Sequence, residues 1–122
     1  MADTGQIRAT ELRVSKDRRM LTVAFSNGDN FAIPAEIMRV LSPSAEVQGH
    51  SPDQRQLVAG KRNVAIADIK PTGNYAVRIV FDDRHDTGIY SWSYLHRLGA
   101  NLDELLKAYE DELDEKGLSR DP

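Results

Sequence analysis

Met20–Leu41 reads MLTVAFSNGDNFAIPAEIMRVL, and this stretch decides the fold. Leu21, Val23 and Phe25 recur at period two, the spacing of side chains on one face of a strand. Asn27-Gly28 follows, a pair in which both positions tolerate positive φ and so suit a tight turn between antiparallel strands. Phe31 and Ile33 resume the alternation beyond it. Pro34 then suits a first helical position, where its missing amide proton costs nothing. Ala35 to Leu41 carries Ile37 with Val40 or Leu41 at helical spacing, which predicts a short helix stopping at Ser42-Pro43.

Working outward, residues 11 to 15 place Leu12 and Val14 on one face, so a strand there pairs with residues 20 to 26 and a three-stranded meander opens the domain. Val64 to Ile69 alternates, Pro71-Thr72-Gly73-Asn74 supplies turn chemistry, and Tyr75, Val77, Ile79 and Phe81 repeat at period two, giving a second hairpin. Ile89 to Ser91 is a last short strand. Ser91 or Ser93 caps a helical turn through Leu95 and Leu98 that ends at Gly99. Asn101 with Glu104 resembles a capping box, and Leu102, Leu105, Leu106, Tyr109 and Leu113 make one apolar stripe on a final helix. The fold class that follows is α+β: a small antiparallel or mixed sheet of two hairpin units, a short helix after the third strand, and an amphipathic helix packed on the sheet. A single domain is expected over residues 10–116, with a flexible segment at 1–9 and a frayed tail at 117–122.

Composition narrows the function classes. The 122 residues contain no cysteine, so disulfides and thiolate metal sites are excluded and any metal must be held by His, Asp, Glu or backbone oxygen. The first residues are polar, without the apolar core of a signal peptide, and no segment approaches a membrane span, which predicts a cytoplasmic protein without a membrane partner. Residues 101 to 122 carry eight acidic and three basic side chains, so the acid is concentrated there while the chain as a whole is −3. That is no footprint for nucleic acid, which calls for a strongly basic face.

Two segments stand apart from the periodic ones. Ser42 to Asn63 loses its periodicity and reads as a long surface loop, a class of segment that is often functional. Phe81–Leu95, FDDRHDTGIYSWSYL, sets His85 among Asp82, Asp83 and Asp86 ahead of Tyr90, Trp92 and Tyr94. Three carboxylates would raise the pKa of His85, whereas a metal would need its imidazole neutral. A metal centre can be composed from His85, His50, Asp83 and Asp86, provided that the loop folds back, with iron or another divalent ion as its occupant. Neither His50 nor His96 has the paired spacing of a preorganised zinc site. No serine lies in a nucleophile elbow. Gly60-Lys61-Arg62 lacks both the upstream glycine and the following hydroxyl of a phosphate loop. With no nucleophile, base and orienting group to assemble, an enzyme is disfavoured.

SPSAEVQGH (42–50), GKRNVAI (60–66), GNYAVRIVFDD (73–83) and HDTGIYSWSYL (85–95) together make the chain similar to the gamma-butyrobetaine hydroxylase-like N-terminal domain family, in its small free-standing bacterial form. The resemblance covers about residues 10 to 100. In larger eukaryotic members such a domain precedes an iron and 2-oxoglutarate dioxygenase domain and looks like a zinc module, with a Cys-Pro-Cys-x-x-Cys run and a distant histidine. Here Ser42, Pro43, Ser44 and Val47 stand at the places of that run, and His85 at the histidine. The resemblance therefore implies a relative of the metal site that does not hold zinc in the cysteine manner. No oxygenase motif follows. Similar domains are fused to Mrp-type ATPases, which associates the family with iron–sulfur handling. Two expectations result. One is a non-catalytic interaction module that meets a protein partner through Ser42, Ser44, Arg62, Arg84 and Trp92, as a monomer or weak homodimer. The other is a metal-binding protein centred on His85.

Overall fold

Alternation in residues 20–25 is realised in full: Leu21, Val23 and Phe25 are buried while Met20, Thr22 and Ala24 are half-covered. In the computed structural model, which describes residues 7–122, this central strand β2 (Met20–Phe25) lies between β1 (Ala9–Val14) and β3 (Asn30–Pro34) in an antiparallel meander. Gly28, at φ 95°, makes the β2–β3 turn, a conformation that side chains resist. Helix α1 (Ala35–Val40) follows at once. It is buried nearly all round, with Ala35, Glu36, Ile37, Met38 and Val40 all inside and Leu41 half-covered.

The second hairpin, β4 (Ile66–Thr72) and β5 (Ala76–Phe81), gains β6 (Ile89–Ser91) on the free side of β5. The two hairpin units thus stand as two separate three-stranded antiparallel sheets. A small bridge ties them together. Arg18, at φ 63° in the β1–β2 turn, accepts from the Ile66 amide at 2.7 Å, and its guanidinium donates to the Ile66 and Ala67 carbonyls. Between the sheets and helices, Leu21, Val23, Ile33, Ile37, Met38, Ile66, Val77, Ile79, Phe81 and Tyr90 form one core. Each large aliphatic or aromatic side chain buried there is worth about 1.5–3 kcal/mol of transfer free energy.

Helix α3 (Trp92–Ala100) begins where Ser91 Oγ accepts from the Tyr94 amide at 3.1 Å, a working N-cap. Helix α4 (Leu102–Glu115) lays Tyr109 and Leu113 into the core and leaves Leu102, Leu105 and Leu106 half-covered. The capping box expected at Asn101 does not form. Its amide instead donates to the Arg97 carbonyl, closing α3 rather than opening α4, because the two helices abut and Asn101 is shared between them.

Ser42–Asn63 is more ordered than a long surface loop. It contains the short helix α2 (Ala45–Gln48) and a 3₁₀ turn at Pro52–Gln54, and Leu57, Val58 and Ala59 pack against the core. Residues 118–122, expected to fray, run alongside Gly60–Arg62 with backbone hydrogen bonds of 3.0 and 2.9 Å. Among the described residues no helix is long and apolar enough to cross a membrane.

Gly99 shows how closely α3 meets the first sheet: a Cβ built there would lie 2.5 Å from Phe31 Cβ and Cγ. Gly99→Ala is therefore expected to destabilise the fold by about 1–3 kcal/mol through overpacking. Urea unfolding measures this, and an unchanged midpoint would show that the helix shifts freely.

A buried polar corner as the candidate functional site

Helix α1 ends at a carbonyl-rich turn, Ser42-Pro43-Ser44, which opens α2. Ser44 holds the N-cap position of α2 yet makes no capping bond. Its hydroxyl is turned inward, 3.2 Å from Ser42 Oγ and 3.3 Å from His85 Nε2. Ser42 Oγ lies 2.9 Å from the same ring nitrogen and accepts from the Ser44 amide at 3.3 Å. All three side chains are buried, Ser42 completely and His85 to 6 % exposure. Gly88 makes the closeness possible, since a Cβ there would fall 2.5 Å from Ser42 Oγ and 2.9 Å from the Tyr90 ring.

The histidine is delivered by the β5–β6 turn. Phe81 donates to the His85 carbonyl at 3.0 Å, Arg84 takes φ 74°, and the His85 amide donates to Asp83 Oδ1 at 3.1 Å. Asp83 Oδ2 receives Arg39 Nε of α1 at 2.7 Å and Lys61 Nζ at 2.6 Å. Burial acts to raise the Asp83 pKa, but these hydrogen bonds outweigh it and hold the carboxyl at about 2. Asp82 turns away to the Ala65 amide, and Asp86 lies loosely against Arg78 at 4.0 Å. On the rim, Thr87 donates to Glu46 of α2 at 2.7 Å, and the other Glu46 oxygen is 3.8 Å from His85 Nδ1.

These surroundings reverse the expected charge behaviour of His85. Burial and the Arg39 guanidinium lower its pKa from 6.5, and the opposing pull of Glu46, Asp83 and Asp86 is insufficient. Carboxylates adjacent in sequence were expected to dominate. Asp83 is neutralised by two cations, and the ring is withdrawn from water, which penalises the imidazolium.

Of the residues singled out from the sequence, Ser42, Ser44, Asp83 and His85 come together. Ser42 and Ser44 are interior and not available to a partner surface. His50 is exposed, tied through its amide to Gln54. Arg84 is exposed at the turn, and Arg62 pairs with Asp121. Trp92 sits at the other end of β5, half-buried, its indole donating to the Asn74 carbonyl at 3.0 Å. His96 is elsewhere again, 2.7 Å from Asp29 and edge-on to Phe25 and Phe31. Among the described residues no group of three His, Asp or Glu side chains is placed to hold a metal, so His85, His50, Asp83 and Asp86 do not assemble. Zinc does not fit the corner either: the donors are two neutral hydroxyls and one imidazole already bonded to each other, and Val47 is a buried apolar side chain. Sequence reasoning missed Arg39, which lay hidden in an apolar helix, and Glu46, whose only signal was its place in the loop.

The geometry defines a small α+β domain organised round a hydrogen-bonded serine–histidine corner. The chain belongs to the family of gamma-butyrobetaine hydroxylase-like N-terminal domains, whose model matches residues 12–96. Two proteins solved by NMR in solution are similar to it. One is 43 % identical, covering 100 % of this chain and 91 % of that one with a TM-score of 0.83. The other is 41 % identical, covering 94 % and 90 % with a TM-score of 0.81. A crystallised protein of unknown function of the DUF971 family, from Acidithiobacillus ferrooxidans, is 34 % identical over 76 % of this chain and 93 % of its own, with a TM-score of 0.64. No curated protein matches.

Because the folded imidazole has a depressed pKa, the unfolded chain takes up its proton first as pH falls. The stability contributed by neutral His85 is present above pH 6.5 and is lost as pH drops toward the folded value. Denaturant unfolding between about pH 7.5 and about pH 5 is expected to weaken in the wild type and to slope less in His85→Gln. Parallel profiles for the two proteins would overturn the assignment.

Proposed function

We propose that this chain is a non-catalytic docking module for a protein partner, acting in the cytoplasm as a monomer or weak homodimer in accessory service to iron or iron–sulfur metabolism. The observation that supports this best is that the Ser42 and Ser44 hydroxyls and the His85 Nε2 are spent on one another. Ser42 and His85 have the pairing of a nucleophile and base, but both are buried, which weighs against a substrate-facing role. What the corner accomplishes is positional. It fixes α2, the Lys61 segment and the β5–β6 turn relative to one another, and it presents Glu46, Arg84 and Asp86 outward on a rigid base. Charged rims on fixed loops set specificity and encounter rate more than raw affinity.

The association with iron–sulfur handling is carried by family resemblance. The protein character of the partner is favoured by the net charge of −3, which suits neither nucleic acid nor an anionic membrane.

A second reading, coordination of iron or another divalent ion at His85 through N and O donors, has no assembled ligand set behind it among the described residues. Metal analysis of untagged protein purified without chelator is expected to give the same near-zero content for wild type and His85→Ala. Stoichiometric metal lost in the variant would replace docking with coordination.

For the docking reading, the double variant Glu46→Ala, Arg84→Ala is expected to lose a specific partner captured by the wild type. The variant gives up the Thr87–Glu46 hydrogen bond, so its stability should fall by no more than about 1.5 kcal/mol and leave it folded. Capture unaffected by the rim substitutions would move the contact surface elsewhere, and failure of the wild type to capture any specific partner would remove the proposal.

A further inference from the structure

Past α4 the chain turns at Gly117, φ 67°, and comes back as an irregular strap, bent at Arg120, against α1 and the Gly60–Arg62 segment. The Gly60 amide donates to the Ser119 carbonyl at 3.0 Å and the Arg62 amide to the Arg120 carbonyl at 2.9 Å. Arg62 also pairs with Asp121 through its side chain. One side chain of the strap goes deep. Arg120 Nε and Nη2 meet the two carboxylate oxygens of Glu36 at 2.8 and 2.7 Å, a two-pronged pair, with Nη1 3.4 Å from Glu110.

Glu36 is the unusual partner. It lies on α1 at 5 % exposure among apolar neighbours, and a buried carboxylate is tolerated only with a cation and hydrogen bonds on it. The sockets of this berth therefore have a defined chemistry: the backbone amides of Gly60 and Arg62, one residue apart and both engaged by the strap, an exposed guanidinium for an acid, and a sunken carboxylate paired with arginine. Main-chain bonds combined with one anchored, two-pronged arginine are a way in which proteins hold short peptide segments. Glu36, Gly60 and Arg62 all fall within residues 12–96 matched by the family model, while the strap lies outside them.

We propose that this berth is a docking site for a short, irregular arginine-bearing segment of a protein partner, and that the chain's own Ser119–Asp121 fills it as an intramolecular competitor. The proposal rests on the docking reading above and names the chemistry of what is docked. A tethered strap acts at an effective concentration in the millimolar range, so a segment from another molecule gains access when the strap's grip is weakened. The berth also adjoins Lys61, which clasps Asp83, so occupancy bears on the segment that braces the His85 turn.

The test uses the full chain carrying Arg120→Ala and a fluorescent peptide, acetyl-Gly-Leu-Ser-Arg-Asp-Pro-amide, with a control peptide in which alanine replaces the arginine. Anisotropy is expected to show the arginine peptide binding the variant at least about tenfold more tightly than it binds the wild-type chain, where the strap competes, and about tenfold more tightly than the control does. Amide signals of Gly60 and Arg62 should move on binding, and adding Glu36→Gln should abolish the preference for arginine. Should Arg120→Ala fail to fold, Arg120→Lys keeps a cation over Glu36 without the two-pronged geometry and must show the same ordering. A folded variant that binds neither peptide, or both equally, overturns the proposal and leaves the strap as a closure of its own fold. Partner capture lost with Glu46 and Arg84 but indifferent to the peptide would remove the berth while sparing the docking module.

Discussion

One carboxylate holds the corner together. Asp83 takes Arg39 from α1, Lys61 from the segment before β4, and the amide of His85 in its own turn. Three pieces of chain far apart in sequence are thereby fixed to one point. A carboxylate with two cations and a backbone donor is strongly favoured in its ionised form, and that preference orients the turn which carries the histidine. The withdrawal of His85 from water, its contact with both serines and the outward display of Glu46 and Arg84 all follow from the turn being held in that place.

Family membership and the local chemistry meet at the same spot. The run that resembles a cysteine cluster is Ser42-Pro43-Ser44 with Val47, and it still faces the histidine across the fold. The convergence is made here without any cysteine in the chain. Hydroxyl and imidazole hydrogen bonds can stitch two loops together without metal, and here the two serines and the imidazole Nε2 find each other. A stitch of this kind positions loops, and that is the ground on which docking is proposed for the corner.

The strap and the corner share a physical logic. In each, a carboxylate withdrawn from water, the buried Glu36 or the half-buried Asp83, is matched by cations from distant segments. Such groups contribute little net stability, because desolvation offsets most of the attraction, but leaving one of them unpaired is costly. They therefore specify which pieces of chain must meet. Arg120 and Lys61 are the matching pieces, and both belong to segments without regular secondary structure, where apolar burial alone would leave the path of the chain loosely defined.

The sequence by itself determined the strands, the Asn27-Gly28 turn, the Pro34-led helix, the Ser91 cap and the stripe on α4, since each follows from periodicity or turn chemistry acting over a few residues. It also marked Ser42, Ser44 and His85 as a place, through resemblance. Only the tertiary structure decided that the serines are buried, that His85 loses rather than gains basicity, that Trp92 belongs to the far end of β5, and that Arg120 reaches Glu36. Those outcomes depend on which side chains lie within a few ångströms across long separations, and on how much water remains around them. Neither quantity is written in local pattern: Asp83 beside His85 promised an imidazolium until Arg39 and Lys61 arrived from elsewhere to claim the carboxylate.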